Sequence, residues 1–276
     1  MKTELNSVYP QEEIRSFFNL LAEEIIQLSP VETVLNAEKQ LEEPEVQKFE
    51  DAILRLKNSE PIQYILGSAE FYGLIFQVNS HTLIPRPETE ELIQWIFDDY
   101  SKETKTVRIL DVGTGSGCIA ITLAKNILNA RVTAMDISVN ALETARQNAR
   151  DNDVKIKFIP ADVLNLSKLD QEYDIIVSNP PYVRISEKEK MHPNVLLYEP
   201  GQALFVKDEN PLIFYENIAR LAKSNSAKTT GLYFEINEFL AGELVVLLNE
   251  AGFKNIQVKK DIYGKNRMLK CVFKKD

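Results

Sequence analysis

Apolar positions in the first sixty residues recur at helical intervals. Ile14, Phe17, Phe18, Leu21, Ile25 and Leu28 form one stripe, and Val46, Phe49, Ile53 and Leu56 form another. Ser29-Pro30 interrupts the first stripe and offers an N-cap followed by a first-turn proline, so one helix ends there and another begins. Pro44 opens the helix that carries the second stripe. Between 61 and 86 the pattern changes to PIQYILGSAEFYGLIFQVNSHTLIPR. Its β-branched and aromatic residues, broken by Gly67, Gly73 and Asn79-Ser80, predict a hairpin or irregular connector. Pro87 with Glu88, Glu90 and Glu91 marks a further helix start, because proline suits the first turn and carboxylates complement the positive end of the helix dipole.

From residue 107 onward short apolar runs alternate with helical patterns. VRIL, RVTAM, KIKFI, YDIIV, GLYFEI, IQVKK and MLKCVF give seven predicted strands. Helical segments over 117–129, 138–150, weakly over 164–169, and over 209–224 supply crossovers, which implies a mainly parallel α/β sheet covered on both faces. The last two strands are joined only by the turn-like DIYGKNR and pair as an antiparallel hairpin. The expected organisation is a helical docking domain over 1–60, a hairpin or linker over 61–86, and an α/β domain over 87–276.

A chain of 276 residues with 44% hydrophobic and 26% charged side chains reads as an ordinary globular protein with room for a substantial core. No apolar run approaches the ~18 residues a membrane helix needs. The start MKTELNSVYPQEEIRSFF lacks the basic-then-apolar form of a signal peptide, and a cytoplasmic location is expected. Cys118 and Cys271 are the two cysteines, and His81 and His192 the two histidines; neither pair has metal-ligand spacing, so no metal site is expected. The net charge of −9 argues against a nucleic-acid substrate. Residues 1–60 carry thirteen acidic and six basic side chains, which suits either a solvated helical surface or a docking face for a basic partner.

Candidate chemistry begins at ILDVGTGSGCIAI, a glycine-rich turn between the first parallel strand and a helix. Gly113, Gly115 and Gly117, with Thr114 and Ser116 between them, permit tight turning and close approach of a ligand to backbone. The dinucleotide pattern G-x-G-x-x-G/A requires Gly or Ala at 118, where this chain has Cys118, so the spacing favours a ligand without a pyrophosphate. Asp136 ends the second strand and suits two ribose hydroxyls or a helix N-cap. Asp162 follows the third strand as an acceptor for an adenine amino group, with Val163 against the ring, or as a turn-former. Asp111 orients the loop or meets the amino-acid end of the ligand.

This glycine loop followed by two acidic strand ends resembles the Class I S-adenosylmethionine-dependent methyltransferases over about residues 87–276. The resemblance implies a mainly parallel seven-stranded sheet with an antiparallel terminal hairpin. It also implies that the end of the fourth strand faces the transferred methyl group, and there the chain reads Asn179-Pro180-Pro181-Tyr182. A planar amide or exocyclic amine is a poor nucleophile and gains positive charge as it is alkylated. Acceptors aimed at its N–H bonds are therefore needed. The Asn179 side-chain oxygen and the Pro180 carbonyl are such acceptors, the tandem prolines fix φ and add no competing donors, and Tyr182 offers a π-face to the developing cation. By itself the motif leaves adenine N6, guanine N2 and a glutamine side chain open, so a DNA or RNA base methyltransferase is the alternative reading.

PIQYILG (61–67), FYGLIFQV (71–78), LIPRPETE (83–90), ILDVGTGSGCIAI (109–121), DIIVSNPPYV (174–183) and EPGQAL (199–204) together resemble the protein-(glutamine-N5) methyltransferases of the PrmC/HemK family. That resemblance, over about residues 60–276, implies S-adenosylmethionine as cofactor and the Gly-Gly-Gln glutamine of peptide chain release factors 1 and 2 as acceptor. Carried over residue by residue, it implies cofactor contacts at Gly113 to Gly117, Asp136, Val163 and Asn179, and places the glutamine against Asn179, Pro180, Pro181 and Tyr182. Arg86 closes the cleft between domains or forms a local ion pair with the following glutamates. One departure stands out: the family commonly has Glu-x-Gly after the fifth strand, where this chain has Glu235-Ile236-Asn237. Asn tolerates left-handed backbone, which would preserve the turn, and the departure leaves the role of Glu235 open.

Overall fold

The computed structural model describes residues 1–224 and 229–274; the last two residues of the expected 87–276 domain lie outside it. It divides into two compact units, one of residues 1–68 with 192–198 and one of 69–191 with 199–276.

The first unit holds α1 (Lys2–Leu5), α2 (Gln11–Ile26), α3 (Pro30–Leu35), α4 (Glu43–Lys57) and α5 (Ile62–Leu66). Its apolar stripes converge as predicted, with Leu5, Ile14, Phe17, Leu21, Phe49 and Leu56 in one buried cluster. Leu28 is not part of the stripe: α2 ends at Ile26, because Gln27 turns left-handed with φ 54°. Ser29 caps α3 reciprocally, its hydroxyl accepting from the Glu32 amide while the Glu32 carboxylate accepts from the Ser29 amide (2.9 Å). The Arg55 guanidinium joins α4 to α5 by donating to Glu60 (2.6 Å) and to the carbonyl of Tyr64 (3.2 Å). The start of the expected 61–86 connector is thus helical, and strand structure begins only at Ser68.

In the second unit, β1 (Ser68–Phe71) and β2 (Leu74–Gln77) form the predicted hairpin. Then come α6 (Pro87–Tyr100), β3 (Val107–Val112), α7 (Cys118–Asn126), β4 (Ala130–Asp136), α8 (Val139–Asp151), β5 (Ile156–Pro160) and β6 (Ile175–Ser178). An excursion leads through β7 (Val183–Arg184), then α9 (Pro193–Tyr198), which belongs to the first unit, and back to β8 (Phe205–Val206). The chain ends with α10 (Ile213–Ser224), β9 (Thr229–Glu235), α11 (Ala241–Glu250), β10 (Lys254–Lys260) and β11 (Asn266–Lys274). All seven predicted strands join one sheet in the order β10-β11-β9-β6-β3-β4-β5. The pairs from β9 to β5 are parallel, and β11 is antiparallel to both β9 and β10.

Successive residues of the central strands are apolar on both faces, as a doubly covered sheet requires. Leu110, Ile176, Leu232 and Phe234 pack with Tyr215, Ile218 and Leu244 of α10 and α11. Ile109, Ile175, Val177 and Tyr233 pack on the other face with Leu92, Ile96 and Ile119 of α6 and α7. The weak helix expected over 164–169 does not form. Asp162 takes that stretch into a side-chain-capped turn instead, accepting from the Leu164 amide (2.9 Å) and the Asn165 side chain (2.6 Å).

From β3 the chain runs outward through β4 to β5 and then returns to β6 on the other side of β3. The strand order reverses there, and in open α/β sheets ligands bind beyond the carboxyl ends of the strands at such a point. Register aligns those ends. Val112 of β3 pairs with Met135 of β4 and Ser178 of β6, and Ser178 pairs with Phe234 of β9. The next residue along each strand belongs to the candidate site: Gly113, Asp136, Asn179 and Glu235.

Candidate active site

Beyond these strand ends lies a cavity of about 240 Å³, walled by the β3–α7 loop, the ends of β4 to β6, the segment 81–89 and residues 200–203. Gly113, Gly115 and Gly117 adopt φ of 74°, 56° and 84°, where a side chain is strained. A Cβ at Gly113 or Gly115 would meet open space, whereas one at Gly117 would stand 3.0 Å from Ile121 Cδ1 and 3.1 Å from Ala145 Cβ. The first two glycines therefore open a cradle, and the third lets α7 and α8 close together. Thr114, Ser116 and Cys118 line the cavity, while Asp111 and Gly117 do not. Asp111 sits beneath the loop, fully buried, with its Oδ2 accepting the Thr114 hydroxyl (2.6 Å). Burial pushes its carboxyl up to about 7, against the pull of the Thr114 hydroxyl.

Asp136 Oδ2 accepts from the Gly115 amide and its Oδ1 from the Ser138 amide, both at 2.9 Å. The N-cap of α8 is Ser138, whose hydroxyl accepts from the Ala141 amide (3.2 Å). Asp136 thus braces the loop and lies on the cavity wall with lone pairs to spare for hydroxyl donors. Desolvation raises its pKa, against three backbone amides that favour the anion. Asp162 and Val163 line the same wall, and both Asp162 oxygens serve the turn through Leu164 and Asn165. With Ile119, Met135, Val163 and Leu164 as apolar walls and a carboxylate at the end of β4, the cavity suits a nucleoside: a flat base between apolar side chains, ribose hydroxyls on Asp136, and a further arm in the open glycine cradle.

Asn179, Pro180 and Pro181 form the adjoining wall. Among the described residues nothing donates to Asn179 Oδ1 or to the Pro180 carbonyl. The Asn179 Nδ2 donates to Thr89 Oγ1 over 3.4 Å. Tyr182 is not on the wall; its hydroxyl donates to Glu235 Oε1 (2.9 Å), and burial beside that carboxylate holds the phenol protonated. Glu235 is 2% exposed, and its Oε2 accepts the Thr89 hydroxyl (2.5 Å). Burial raises its pKa, opposed by the two hydroxyls and by Arg267. Arg86 pairs with the buried Glu199 (2.5 Å), not with the α6 glutamates, and Glu199 also accepts from the Ile84 amide (3.2 Å). Arg86 lies on the cavity wall beside Ile84 and Thr89.

Several of these supports are not legible in the sequence. Asn237 has no positive φ, contrary to the left-handed turn expected of it. It acts through its side chain, Nδ2 donating to the Tyr182 carbonyl (3.1 Å) and to Glu187 (3.0 Å). Buried Asn148 on α8 exchanges hydrogen bonds with the Gln77 backbone (2.7 and 3.0 Å) and donates to the Ser116 carbonyl (2.8 Å), tying the hairpin to the glycine loop. A polar residue on the apolar stripe of α8 is the one sequence signal that marks Asn148. Thr89, Glu199 and Glu235 lie inside the quoted motifs or next to the departure at Asn237, but their partners are remote in sequence. Among the described residues no cluster of His, Cys, Asp or Glu is arranged to hold a metal ion, and no helix is long and apolar enough to cross a membrane.

Residues 92–208 match the family described as Methyltransferase small domain, and residues 3–67 match the PrmC N-terminal domain. The release factor glutamine methyltransferase of Flavobacterium psychrophilum is 51% identical over 272 residues, covering 98% of this chain and 95% of the relative. Its counterpart from Bacteroides thetaiotaomicron is 41% identical over 270 residues, covering 98% and 96%. Among solved structures, the T. thermophilus 16S rRNA N2 G1207 methyltransferase in complex with AdoMet and guanosine superposes with a TM-score of 0.52 at 20% identity, over 76% of this chain and 50% of that one, a likeness of fold alone. With two family domains in order and a relative at 51% identity along nearly its whole length, the chain belongs to the release factor glutamine methyltransferases, the PrmC/HemK family.

Proposed function

We propose that this protein transfers a methyl group from S-adenosylmethionine to the side-chain amide nitrogen of the Gly-Gly-Gln glutamine in peptide chain release factors 1 and 2. The observation that carries the reading is the Asn179-Pro180 corner, where two acceptors without donors share a cavity wall with the glycine loop and Asp136. When bound, S-adenosylmethionine supplies an electrophilic methyl group on a sulfonium sulfur. Gly113 and Gly115 leave space that it would fill, Asp136 would receive its ribose hydroxyls, and Val163 would pack on its adenine.

A carboxamide nitrogen has its lone pair delocalised into the carbonyl. Asn179 Oδ1 and the Pro180 carbonyl accept its two N–H bonds, hold the amide plane, and stabilise the positive charge that develops on those hydrogens during alkylation. Preorganisation matters here because the prolines have no backbone donor and little freedom to relax. Pro181 and Arg86 border the acceptor. Glu235 is the neighbouring carboxylate, but it is buried behind Thr89 and Tyr182 and is not on the cavity wall, so the surplus proton leaves to water. The acidic helical unit at residues 1–60 serves as the docking surface for the basic partner. Neutralising the exposed Glu12, Glu13, Glu23 and Glu24 should raise KM for intact release factor and leave a short Gly-Gly-Gln peptide unaffected.

The deciding experiment offers labelled S-adenosylmethionine to purified release factors in the presence of ribosomal RNA and DNA, then maps the label by mass spectrometry. Label on the Gly-Gly-Gln glutamine is the expected result. Label in the nucleic acid would favour the base-methylating alternative, and no label on either would end this reading.

A further inference from the structure

Side-chain amides have two faces of opposite character, and only one face of Asn179 suits an N–H₂ acceptor group. If the Nδ2 side met the substrate, donors would face donors. Something must therefore fix which way the amide points. The structure contains a hydrogen-bond chain that does so, its direction set by an ionised Glu235.

Glu235, at the end of β9, has two oxygens and no proton to give as a carboxylate. Its Oε2 receives the Thr89 hydroxyl at 2.5 Å and its Oε1 the Tyr182 hydroxyl at 2.9 Å. Both hydroxyl protons are thereby committed. The Thr89 oxygen retains only acceptor capacity, and its remaining neighbour is the Asn179 amide at 3.4 Å. That neighbour must present Nδ2, the donor, which leaves Oδ1 turned to the substrate side. Networks of this kind decide amide orientation when the atoms themselves look alike.

We propose that Thr89, anchored by Glu235, is a positioning residue that sets the polarity of the Asn179 side chain. Glu235 reaches the first and last residues of the Asn-Pro-Pro-Tyr segment at once, Asn179 through Thr89 and Tyr182 directly. Strand register ties two of the three elements: Ser178 pairs with Phe234, so Asn179 and Glu235 leave the sheet side by side. Thr89 comes from the first turn of α6 and is 2% exposed, so water does not compete for its hydroxyl. This deepens the proposed glutamine methylation and rests on it for the kinetic result, while the side-chain orientation can be measured without it.

The test compares full-length wild type with Thr89→Val, which keeps the shape and loses the hydroxyl, and Thr89→Ser, which keeps the hydroxyl. Thr89→Ala replaces valine if that variant fails to fold. Three readouts are taken: methyl transfer to release factor resolved into kcat and KM, S-adenosylmethionine affinity by calorimetry, and solvent exchange of the Asn179 side-chain N–H₂ by NMR. The valine variant is expected to lose about tenfold in kcat with KM and cofactor affinity nearly unchanged, and serine to restore the rate. The Asn179 N–H₂ should exchange slowly in wild type and Thr89→Ser and rapidly in Thr89→Val. Wild-type kcat in the valine variant, or a serine variant as slow as valine, would overturn the proposal. If wild type transfers no methyl group to release factor, the functional reading fails on its own. The exchange measurement then decides the relay, which protection lost in Thr89→Val supports and fast exchange in wild type overturns.

Discussion

The turn after β3 and the exit from β6 face one cavity but are held in opposite ways. The glycine loop owes its shape to freedom, with three residues at positive φ, and it is held by Asp136 on the Gly115 amide, Asp111 on the Thr114 hydroxyl and Asn148 on the Ser116 carbonyl. The Asn179 corner owes its shape to the removal of freedom by two prolines, and its braces arrive from far along the chain: Thr89 from α6, Glu235 from β9 and Asn237 just beyond. The difference matches the role proposed for each. A loop that wraps a cofactor needs close backbone approach. A corner that stabilises charge as it develops needs fixed dipoles.

Breaking the corner should therefore cost turnover, and breaking the loop should cost binding or stability. The largest effect is expected at Asn179. Replacing it with Ala should lower the single-turnover rate by about a hundredfold or more, the scale seen when one preorganised partner of a developing charge is removed, and leave S-adenosylmethionine affinity within about threefold. Parallel rapid-quench and calorimetric measurements would separate the two. Asp136→Ala should do the reverse, weakening cofactor binding by about ten- to a hundredfold through lost ribose hydrogen bonds and a slackened Gly115, while saturating cofactor recovers most of the rate.

Smaller effects sharpen the contrast inside the loop. Gly117→Ala places a Cβ 3.0 Å from Ile121 Cδ1 at φ 84°. It should cost roughly 1–2 kcal/mol and lower the Tm by about 4 °C, with little change in the reaction at moderate temperature. A further contrast concerns pH. Asp111, with its carboxyl held at about 7 in the folded protein, contributes most to stability below about pH 4, where folded and unfolded forms are both protonated. That contribution is lost as pH rises to about 7, because only the unfolded chain has released its proton. Asp111→Asn removes the slope, so its Tm advantage over wild type should grow between about pH 4 and about pH 7 and level off above; melting curves across that range read it directly.

Much of this architecture is legible in the sequence because its causes are local. Each of the seven strands is a short apolar run bounded by turn residues, and the glycine loop comes after its strand by chain order alone. Ser29 and Pro30 announce the start of α3 in the same way. The helix expected near 164–169 fails for an equally local reason that outweighs its apolar spacing, since Asp162 captures the backbone of its own turn. Lateral pairing, by contrast, is not conveyed by periodicity. Glu235 stands beside Asn179 because β9 lies next to β6 with Ser178 opposite Phe234, a register that no motif spells out. Arg86 finds Glu199 across 113 residues rather than the glutamates that come after it, and Asn237 supports the corner by its amide where backbone tolerance is the obvious sequence argument. The residues that present themselves to ligand are local words in the chain, and those that hold them are long-range coincidences of the fold.

The central claim is that the Asn179-Pro180 corner grips a planar amide by both its N–H bonds. A crystal structure of the enzyme with S-adenosylhomocysteine and a Gly-Gly-Gln peptide measures this directly. The account predicts the glutamine nitrogen within about 3.2 Å of both Asn179 Oδ1 and the Pro180 carbonyl, with Asn179 Nδ2 on Thr89. A glutamine bound elsewhere, or an Asn179 that offers its Nδ2 to the peptide, would contradict it.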